Sequence, residues 1–287
     1  MNRPLPKCLA VMAAAAALGG VAGCGSTSGE SATTNATASD CTPGKLQTKA
    51  PGELTVATDK PAYPPYFENN DPTNGKGFES ATAYAIADQL GYARADVTWV
   101  VEPFNSSYAP GPKDFDFDVN QISITPPRQQ HVDFSAPYYT ANQAVVAAKG
   151  SSAASAKSLA DLKEATIGVQ IGTTSLDAVN SEIEPSTQPK VFNDSNDVVT
   201  ALKEGQVDAV VVDLPTALYL TATQVPDATI VGQFSAPGGD QWGALLAKGS
   251  PLTACVSKAV EDLRSSGELQ KIENRWMSQA ADAPTLQ

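Results

Sequence analysis

The stretch Gly205-Gln-Val-Asp-Ala-Val-Val-Val-Asp213 decides the fold class of this chain. Its apolar residues run continuously from 209 to 212 instead of alternating with polar residues. A strand with this pattern is buried on both faces, as in a parallel sheet that helices cover on both sides. Helical patterns lie on either side of it, at 195–204 and at 214–223. The stretch therefore predicts an α/β fold.

The same alternation of strand and helix extends outward in both directions. Further strands are predicted at 54–58, 97–101, 119–124, 142–148, 166–171, 190–192 and 242–247. Further helices are predicted at 79–90, near 158–164, from 174, at 251–265 and at 267–279. A loop of small residues at 149–156 separates two alternating units, and a final segment follows the second unit. We expect two α/β lobes between which the chain crosses twice.

Composition excludes several classes of function. The 287 residues hold 19 Lys and Arg against 31 Asp and Glu, a net charge of −12, and no run of basic residues. Such a surface repels nucleic acid. A single histidine and four scattered cysteines argue against a His/Cys metal site and against Ser-His-Asp or Cys-His catalysis. No Gly-rich phosphate loop is present, so we expect no cofactor and a protein that works by binding.

The N-terminus carries a targeting signal. Residues 1–7 are basic, residues 8–22 are apolar, and Val21-Ala22-Gly23-Cys24 resembles the lipobox of bacterial lipoproteins. This resemblance implies a signal peptide at 1–23, a lipid-bearing Cys24 and a flexible tether at 24–40. The alternative is an ordinary cleaved signal peptide with a chance cysteine. We expect the protein on the extracytoplasmic face of the cell membrane, in a periplasm or outside a Gram-positive cell, and held there only by its lipid.

Two cysteines remain in the folded body, Cys41 and Cys255. Outside the cytoplasm such a pair usually forms a disulfide, which here would join the start of the body to its C-terminal helical region. The alternative is a pair of buried free thiols.

Polar side chains cluster at the carboxyl ends of predicted strands, where α/β folds bind their ligands. They are Asp59, Tyr63, Tyr66, Ser123, Thr125, Arg128, Thr173, Thr174 and Asp213. The rigid Pro-Pro turn before Arg128 would fix a guanidinium for carboxylate capture, and Asp213 offers the opposite charge. One cation and one carboxylate match the two ends of a zwitterion, of which an α-amino acid is the simplest.

Each of these residues also has a purely structural interpretation. The two threonines are typical of a helix N-cap, and Asp213 could cap the helix at 214–223. Arg128 could form a surface ion pair, and the tyrosines could be core or turn residues. Trp242 and Trp276 are predicted to belong to the core.

Several runs resemble bacterial extracytoplasmic solute-binding proteins for polar amino acids, in that family's order over about residues 50–279. They are Leu54–Asp59, Ser123–Arg128, Val132–Tyr139, Ile167–Thr174, Gly205–Asp213 and the strand from Gly243 with its terminal helix pair. The resemblance implies the two-lobed type II periplasmic-binding-protein fold, in which two mixed sheets are flanked by helices and joined by two hinge strands. It places lobe 1 at 41–141 plus 238–287 and lobe 2 at 142–237.

The resemblance also implies roles for the site residues. Arg128 would bind the ligand carboxylate, helped by the backbone N–H groups of Ser123 and Thr174, and Asp213 would bind the amino group. Tyr63 and Phe104 would sandwich the ligand, and Asp59 would face its side chain. A longer turn after Asp59 leaves open whether Tyr63 or Tyr66 stacks on the ligand. Asn120 and Gln121 stand where the family usually has small residues, so the side chain of the ligand cannot be assigned.

The resulting prediction is a monomeric, lipid-anchored receptor that captures a polar amino acid and delivers it to the permease subunits of an ABC importer. One alternative is a dehydratase-like enzyme of the cell envelope on the same fold, with Asp59 or Asp213 as its general acid. The other is a subunit that senses the ligand and signals to a membrane partner.

Overall fold

The computed structural model describes residues 41–236, 238–277 and 283–287. The predicted signal peptide at 1–23, the tether at 24–40 and the lipidation site Cys24 lie outside the described residues. The described chain contains two mixed five-stranded sheets with helices packed against them, which confirms the predicted α/β class. Within these ranges, each helix is too short or too polar to cross a membrane.

Sheet 1 has the strand order β2-β1-β3-β10-β4. Its strands are β1 (Leu54–Thr58), β2 (Val97–Val101), β3 (Phe117–Asp118), β4 (Val132–Ala141) and β10 (Asp240–Ala247). β1 runs parallel to β2 and β3, whereas β10 is antiparallel to β3 and β4. The accompanying helices are α1 (Phe78–Gln89), α2 (Phe104–Ser107), α3 (Pro126–Gln129), α7 (Thr253–Ser265) and α8 (Glu268–Trp276).

Sheet 2 has the strand order β7-β6-β8-β5-β9. Its strands are β5 (Gln143–Ala147), β6 (Ile167–Gln170), β7 (Lys190–Phe192), β8 (Ala209–Asp213) and β9 (Thr229–Phe234). The accompanying helices are α4 (Thr174–Ala178), α5 (Ser195–Lys203) and α6 (Leu214–Tyr219). α4 and α6 each continue as a wider π-helical turn, at Val179–Ile183 and at Leu220–Gln224.

Strand β8 confirms the interpretation of its continuous apolar run. Val211 packs into the hydrophobic cluster on one face of sheet 2 and Val210 into the cluster on the other face. Both side chains are almost fully buried. The strand is parallel to β6, and helices cover both faces as the pattern requires.

The chain passes between the sheets at two neighbouring places. β4 leads directly into β5 through Asn142, and β9 of sheet 2 ends at Phe234, after which β10 of sheet 1 begins at Asp240. The strand predicted at 119–124 is wrong, because β3 precedes that range and Gln121 within it adopts a positive φ of 48°, which leaves only an isolated bridge from Ser123 to Trp242. The helix predicted near 158–164 is only a short 3₁₀ turn at 160–162.

A disulfide joins Cys41 to Cys255 in α7, which confirms the predicted pairing over the alternative of free thiols. The two Cα atoms are 5.4 Å apart, and 214 residues of sequence separate them. Cys255 is buried in the core of sheet 1, and Cys41 packs against that core. The bridge therefore holds the first described residue against the C-terminal helix pair.

The last five residues, 283–287, pack on sheet 2 and not with the sheet 1 elements to which the sequence analysis assigned them. Thr285 pairs in parallel with Gln233 of β9, and Leu286 is buried in the core of sheet 2. Gly232 makes room for this packing, since a Cβ there would lie 2.6 Å from Leu286 Cγ. We name residues 283–287 the C-terminal tail.

Glu79, in the first turn of α1, is an acid buried in this fold. It accepts hydrogen bonds from the backbone N–H of Gln121 at 2.7 Å, from that residue's side chain and from Tyr138 Oη. Burial nevertheless raises the pKa of Glu79 from 4.5 to about 7. Burial also raises the pKa of Asp118 well above its ordinary value, with the charge of Glu79 adding to the effect.

These raised pKa values predict that the protein becomes less stable as pH rises. The folded state binds the Glu79 proton more tightly than the unfolded state, so the stabilisation is complete below about pH 4.5 and is lost as pH rises through about 7. For Glu79 alone the loss is about 3 kcal/mol. Urea midpoints measured from pH 5.5 to 8.5 should fall steadily. Glu79→Gln should flatten the profile, and a wild-type midpoint that rises over this range would contradict the prediction.

Candidate functional site

A cleft between the two sheets has about 920 Å³ of empty volume, counting its open mouth. Ten residues predicted from the sequence line it: Tyr63, Tyr66, Phe104, Asn120, Gln121, Ser123, Arg128, Thr173, Thr174 and Asp213. The first seven belong to the sheet 1 side, and the last three follow β6 or end β8 on the sheet 2 side. The cleft therefore lies where strand ends of both sheets meet, as the sequence predicted.

Asp59 differs from the other predicted site residues because it is not part of the lining. Its Oδ1 accepts from the backbone N–H of Lys60 at 2.6 Å, and its Oδ2 accepts from that of Phe104 at 3.1 Å. Both oxygens thus orient the backbone at the end of β1 and at the start of α2. The same hydrogen bond positions Phe104, whose ring does line the cleft.

Arg128 is the cation of the cleft and is only 7% exposed. The turn that holds it begins with Thr125, which caps α3 by accepting from the Arg128 N–H, and continues through two prolines. Nη1 donates to the carbonyl of Ser123 at 2.7 Å, and Nη2 donates across the cleft to the carbonyl of Gly172 at 2.9 Å. Burial lowers the pKa of Arg128. The interpretation of Arg128 as a surface ion pair is wrong.

Aromatic rings surround the guanidinium of Arg128. Its Cζ lies 4.6 Å from the ring centre of Tyr108 and 5.4 Å from that of Phe104. Rings at these distances attract the cation through their π faces. They also keep water from the group, so that a carboxylate bound there meets a pre-oriented and poorly hydrated partner.

Asp213 is the carboxylate of the cleft, and it lies at the end of β8. It occupies the N-cap position of α6, as the structural interpretation expected, but its side chain makes no capping hydrogen bond. Its Oδ1 accepts from Gln143 Nε2 at 2.7 Å, and the same amide donates to the buried Asp240. Ser175 Oγ donates to the Gln143 carbonyl oxygen at 2.6 Å. Burial and the charge of Asp240 raise the pKa of Asp213 well above its ordinary value.

Direct hydrogen bonds close the cleft. Tyr66 Oη and Thr216 Oγ1 are 2.7 Å apart, and Tyr63 Oη donates to Asn196 Oδ1. Ser123 Oγ and Thr174 Oγ1 are 3.3 Å apart. Each pair joins a residue of the sheet 1 side to one of the sheet 2 side. The sequence left open whether Tyr63 or Tyr66 stacks on the ligand, and both tyrosines line the cleft.

Thr173, at the start of α4, caps the helix and also belongs to the cleft. Thr173 is the N-cap of the helix, since its Oγ1 accepts from the Leu176 N–H at 3.2 Å. The interpretation as a helix cap is therefore right for Thr173, and the same residue also lines the cleft.

The two tryptophans predicted to belong to the core do so. Trp242 is fully buried in the core of sheet 1, and Trp276 packs against that core.

Sequence reasoning missed several polar residues of the lining: Gln170, Ser175, Ser195, Asn196, Thr216, Tyr219 and Gln224. Gln170 ends β6, and Ser195 and Asn196 begin α5 immediately after β7. The rule that located Asp213 at a strand end applies equally to these positions. No sequence pattern indicated Gln143 or Asp240, because these residues come close to Asp213 only when β5 and β10 assemble in the tertiary fold.

Among the described lining residues, Arg128 and Asp213 are the ones that carry formal charge. Amides, hydroxyls, aromatic rings, valines, one proline and one leucine make up the remainder. A buried cation on one side and a carboxylate on the other could hold a small molecule with one negative and one positive group. The lining suits binding of a zwitterion with a further polar portion.

Known proteins are similar to this chain in sequence and in fold. The sequence model of the "Bacterial extracellular solute-binding proteins, family 3" matches residues 54–279. The "Arginine-binding extracellular protein ArtP" of Bacillus subtilis (strain 168) is 30% identical over 218 residues, which are 74% of this chain and 82% of that protein. Both this relative and the family model span both sheets.

Two solved structures are similar in fold. "An ancestral arginine-binding protein bound to glutamine" has a TM-score of 0.65 and 34% identity, covering 78% of this chain and 97% of its own. The ancestral amino acid-binding protein AncCDT-1, described as a precursor of cyclohexadienyl dehydratase, has a TM-score of 0.63 and 27% identity, covering 78% of this chain and 95% of its own. Both likenesses cover most of the described residues.

Proposed function

Since this chain belongs to the bacterial extracellular solute-binding proteins of family 3, we propose that it binds a polar amino acid in its cleft and delivers it to an ABC importer. The observation that carries the proposal is the placement of Arg128 and Asp213 in one lining with no other formally charged described residue. Their opposite charges match the carboxylate and the ammonium of an α-amino acid.

The ligand carboxylate would bind the guanidinium of Arg128, which has five N–H donors and uses Nη1 and Nη2 on backbone carbonyls. The backbone N–H groups of Ser123 and Thr174 would add donors at the same end. The ligand ammonium would bind Asp213, whose ionised form it stabilises against burial and against Asp240. Tyr63 and Phe104 would pack against the apolar part of the ligand.

Binding would favour the closed conformation, because only there do residues of both sheets reach the ligand together. Lobe 1 at 41–141 plus 238–277 and lobe 2 at 142–237 plus 283–287 would then move about the two crossings. The permease subunits of the importer would recognise the closed form. The proposal also includes a monomer without a cofactor, secretion by the peptide at 1–23 and anchoring at the extracytoplasmic membrane face through Cys24.

Catalysis on the same fold is the second candidate function. One observation favours it: Asp213 lines the cleft and has a raised pKa, as a general acid requires. The similarity to a precursor of a dehydratase points the same way. Zwitterion binding is the better account, because an ammonium satisfies the ionised Asp213 together with the Gln143 amide. The other acid considered, Asp59, does not line the cleft.

The proposal predicts thermal stabilisation by an amino acid. Residues 25–287, screened against the twenty amino acids by thermal shift, should gain roughly 2.7 kcal/mol with a ligand at about 100 times its Kd. That gain corresponds to roughly 5–10 °C. The proposal fails if no amino acid shifts the melting temperature of the folded protein. Small cyclic acids and a turnover assay in the same plate test the enzyme alternative.

A further inference from the structure

We propose that the cleft selects an amino acid whose uncharged side chain ends in a carbonyl group, a carboxamide or a urea, over one with a cationic side chain. The inference rests on the proposed function and names the substrate class for the same site. It differs from the ligand named for the arginine-binding relative.

The charges of the lining provide the first argument. Arg128 and Asp213 are engaged by the two ends common to all amino acids, so neither is left for a side chain. A guanidinium side chain is bound most strongly where a carboxylate accepts two parallel hydrogen bonds from it. Asp59 is not one of the lining residues, and its two oxygens already accept the backbone N–H groups of Lys60 and Phe104. Glu79 and Asp118 are fully buried and are not part of the lining either.

The orientation of the amides provides the second argument. Asn120 is only 7% exposed, lines the cleft, and its Nδ2 has no hydrogen-bond partner. A buried donor without a partner is unfavourable and indicates an acceptor supplied by the ligand. A cationic side chain brings only donors and would leave Asn120 Nδ2 unpaired.

Two further amides of the lining, those of Asn196 and Gln170, also offer hydrogen-bond donors. Asn196 accepts from Tyr63 Oη through its carbonyl oxygen, and Gln170 accepts from Ser195 Oγ at 2.6 Å through its own. Each therefore keeps its NH₂ group as a donor. Together with Asn120, these residues make the part of the cleft beyond the zwitterion site rich in donors.

A carboxylate side chain would also accept these donors, but it fits the charge of the site less well. A second negative group would have no second cation among the described lining residues, and it would share the cleft with Asp213. Val198, Val199 and Val211 contribute apolar surface for methylene groups. A neutral carbonyl at the end of a short aliphatic chain fits both features.

L-Citrulline and L-arginine test the inference as a matched pair, because they have nearly the same shape and differ in a carbonyl oxygen against a cationic NH₂ group. Calorimetric titration of residues 25–287 at pH 8 should give citrulline and glutamine Kd values at least tenfold lower than those of arginine and glutamate. Arginine binding as tightly as citrulline overturns the inference and leaves the proposed function intact. If no amino acid binds, the proposed function itself fails.

Asn120→Asp replaces the unpaired donor by a charged acceptor and should move the citrulline-to-arginine affinity ratio at least tenfold toward arginine. Asn274→Asp makes the same change on the exposed face of α8 and should leave the ratio unchanged. Asn196→Asp, on an exposed residue, repeats the test should the buried variant fail to fold. A ratio that neither cleft variant changes overturns the inference.

Discussion

Arg128→Ala should weaken amino-acid binding by roughly 30-fold to several thousandfold, or about 2–5 kcal/mol. The guanidinium is buried, oriented by two backbone carbonyls and flanked by two rings. Its removal leaves the carboxylate of the ligand in a closed cleft without a counter-charge. The alanine also removes the hydrogen bond that Nη2 donates to Gly172 across the cleft, which weakens closure.

Arg128→Lys is the matched variant for this experiment. Lysine keeps the charge and loses the fork of donors that reaches Ser123 and Gly172 together. We expect an affinity between those of the wild type and the alanine variant in calorimetric titrations. An alanine variant that is folded by circular dichroism and binds with unchanged affinity would remove Arg128 from the site.

Loss of the Cys41–Cys255 disulfide should lower the melting temperature by roughly 5–15 °C. The bridge closes a loop of 214 residues, so the unfolded chain gains considerable conformational freedom when the bridge is absent. A cost of about 2–4 kcal/mol corresponds to that shift in a domain of this size. The Cys41→Ser/Cys255→Ser double variant is measured by calorimetry beside the oxidised wild type.

Ligand affinity serves as the control for the disulfide variant. Neither cysteine lines the cleft, so the Kd for the best amino acid should stay within about twofold of the wild type at 20 °C. Reduction of the wild type by dithiothreitol should reproduce the lower melting temperature. Two titratable thiols in the native oxidised protein would show that the bridge does not form.

Local sequence patterns predicted several of the buried helices and strands correctly. β1, β2 and β7 have the predicted bounds, and α1 begins one residue earlier than predicted. β4 and β9 escaped prediction because each is interrupted, β4 by Pro137 and β9 by Gly232, and neither shows a strict alternating pattern. The strand predicted at 119–124 does not form, because Gln121 adopts a positive φ and its backbone N–H donates to the buried Glu79 of another element.

The sequence predicted those cleft residues whose positions follow from strand ends and local turns. Arg128 and Asp213 both lie in the cleft because a rigid turn and a buried strand place them there. Asp59 was a weaker prediction because a carboxylate after a strand can serve the backbone equally well, as it does here for Phe104 N–H. The bridge from Gln143 to Asp213 and Asp240 depends on distant strands meeting, which no local pattern reports.

The C-terminal tail has a consequence for how the protein is produced. β9 is the outer strand of sheet 2, and the tail covers it through hydrogen bonds from Gln233 N–H to Pro284 and from Leu286 N–H back to Gln233. An uncovered outer strand is a template for aggregation. Shortening the chain before residue 283 would expose that edge. An affinity tag fused after Gln287 would disturb the hydrogen bond that the Gln287 carbonyl accepts from Leu159 N–H. In the soluble form that begins at residue 25, a purification tag therefore belongs at the N-terminal end.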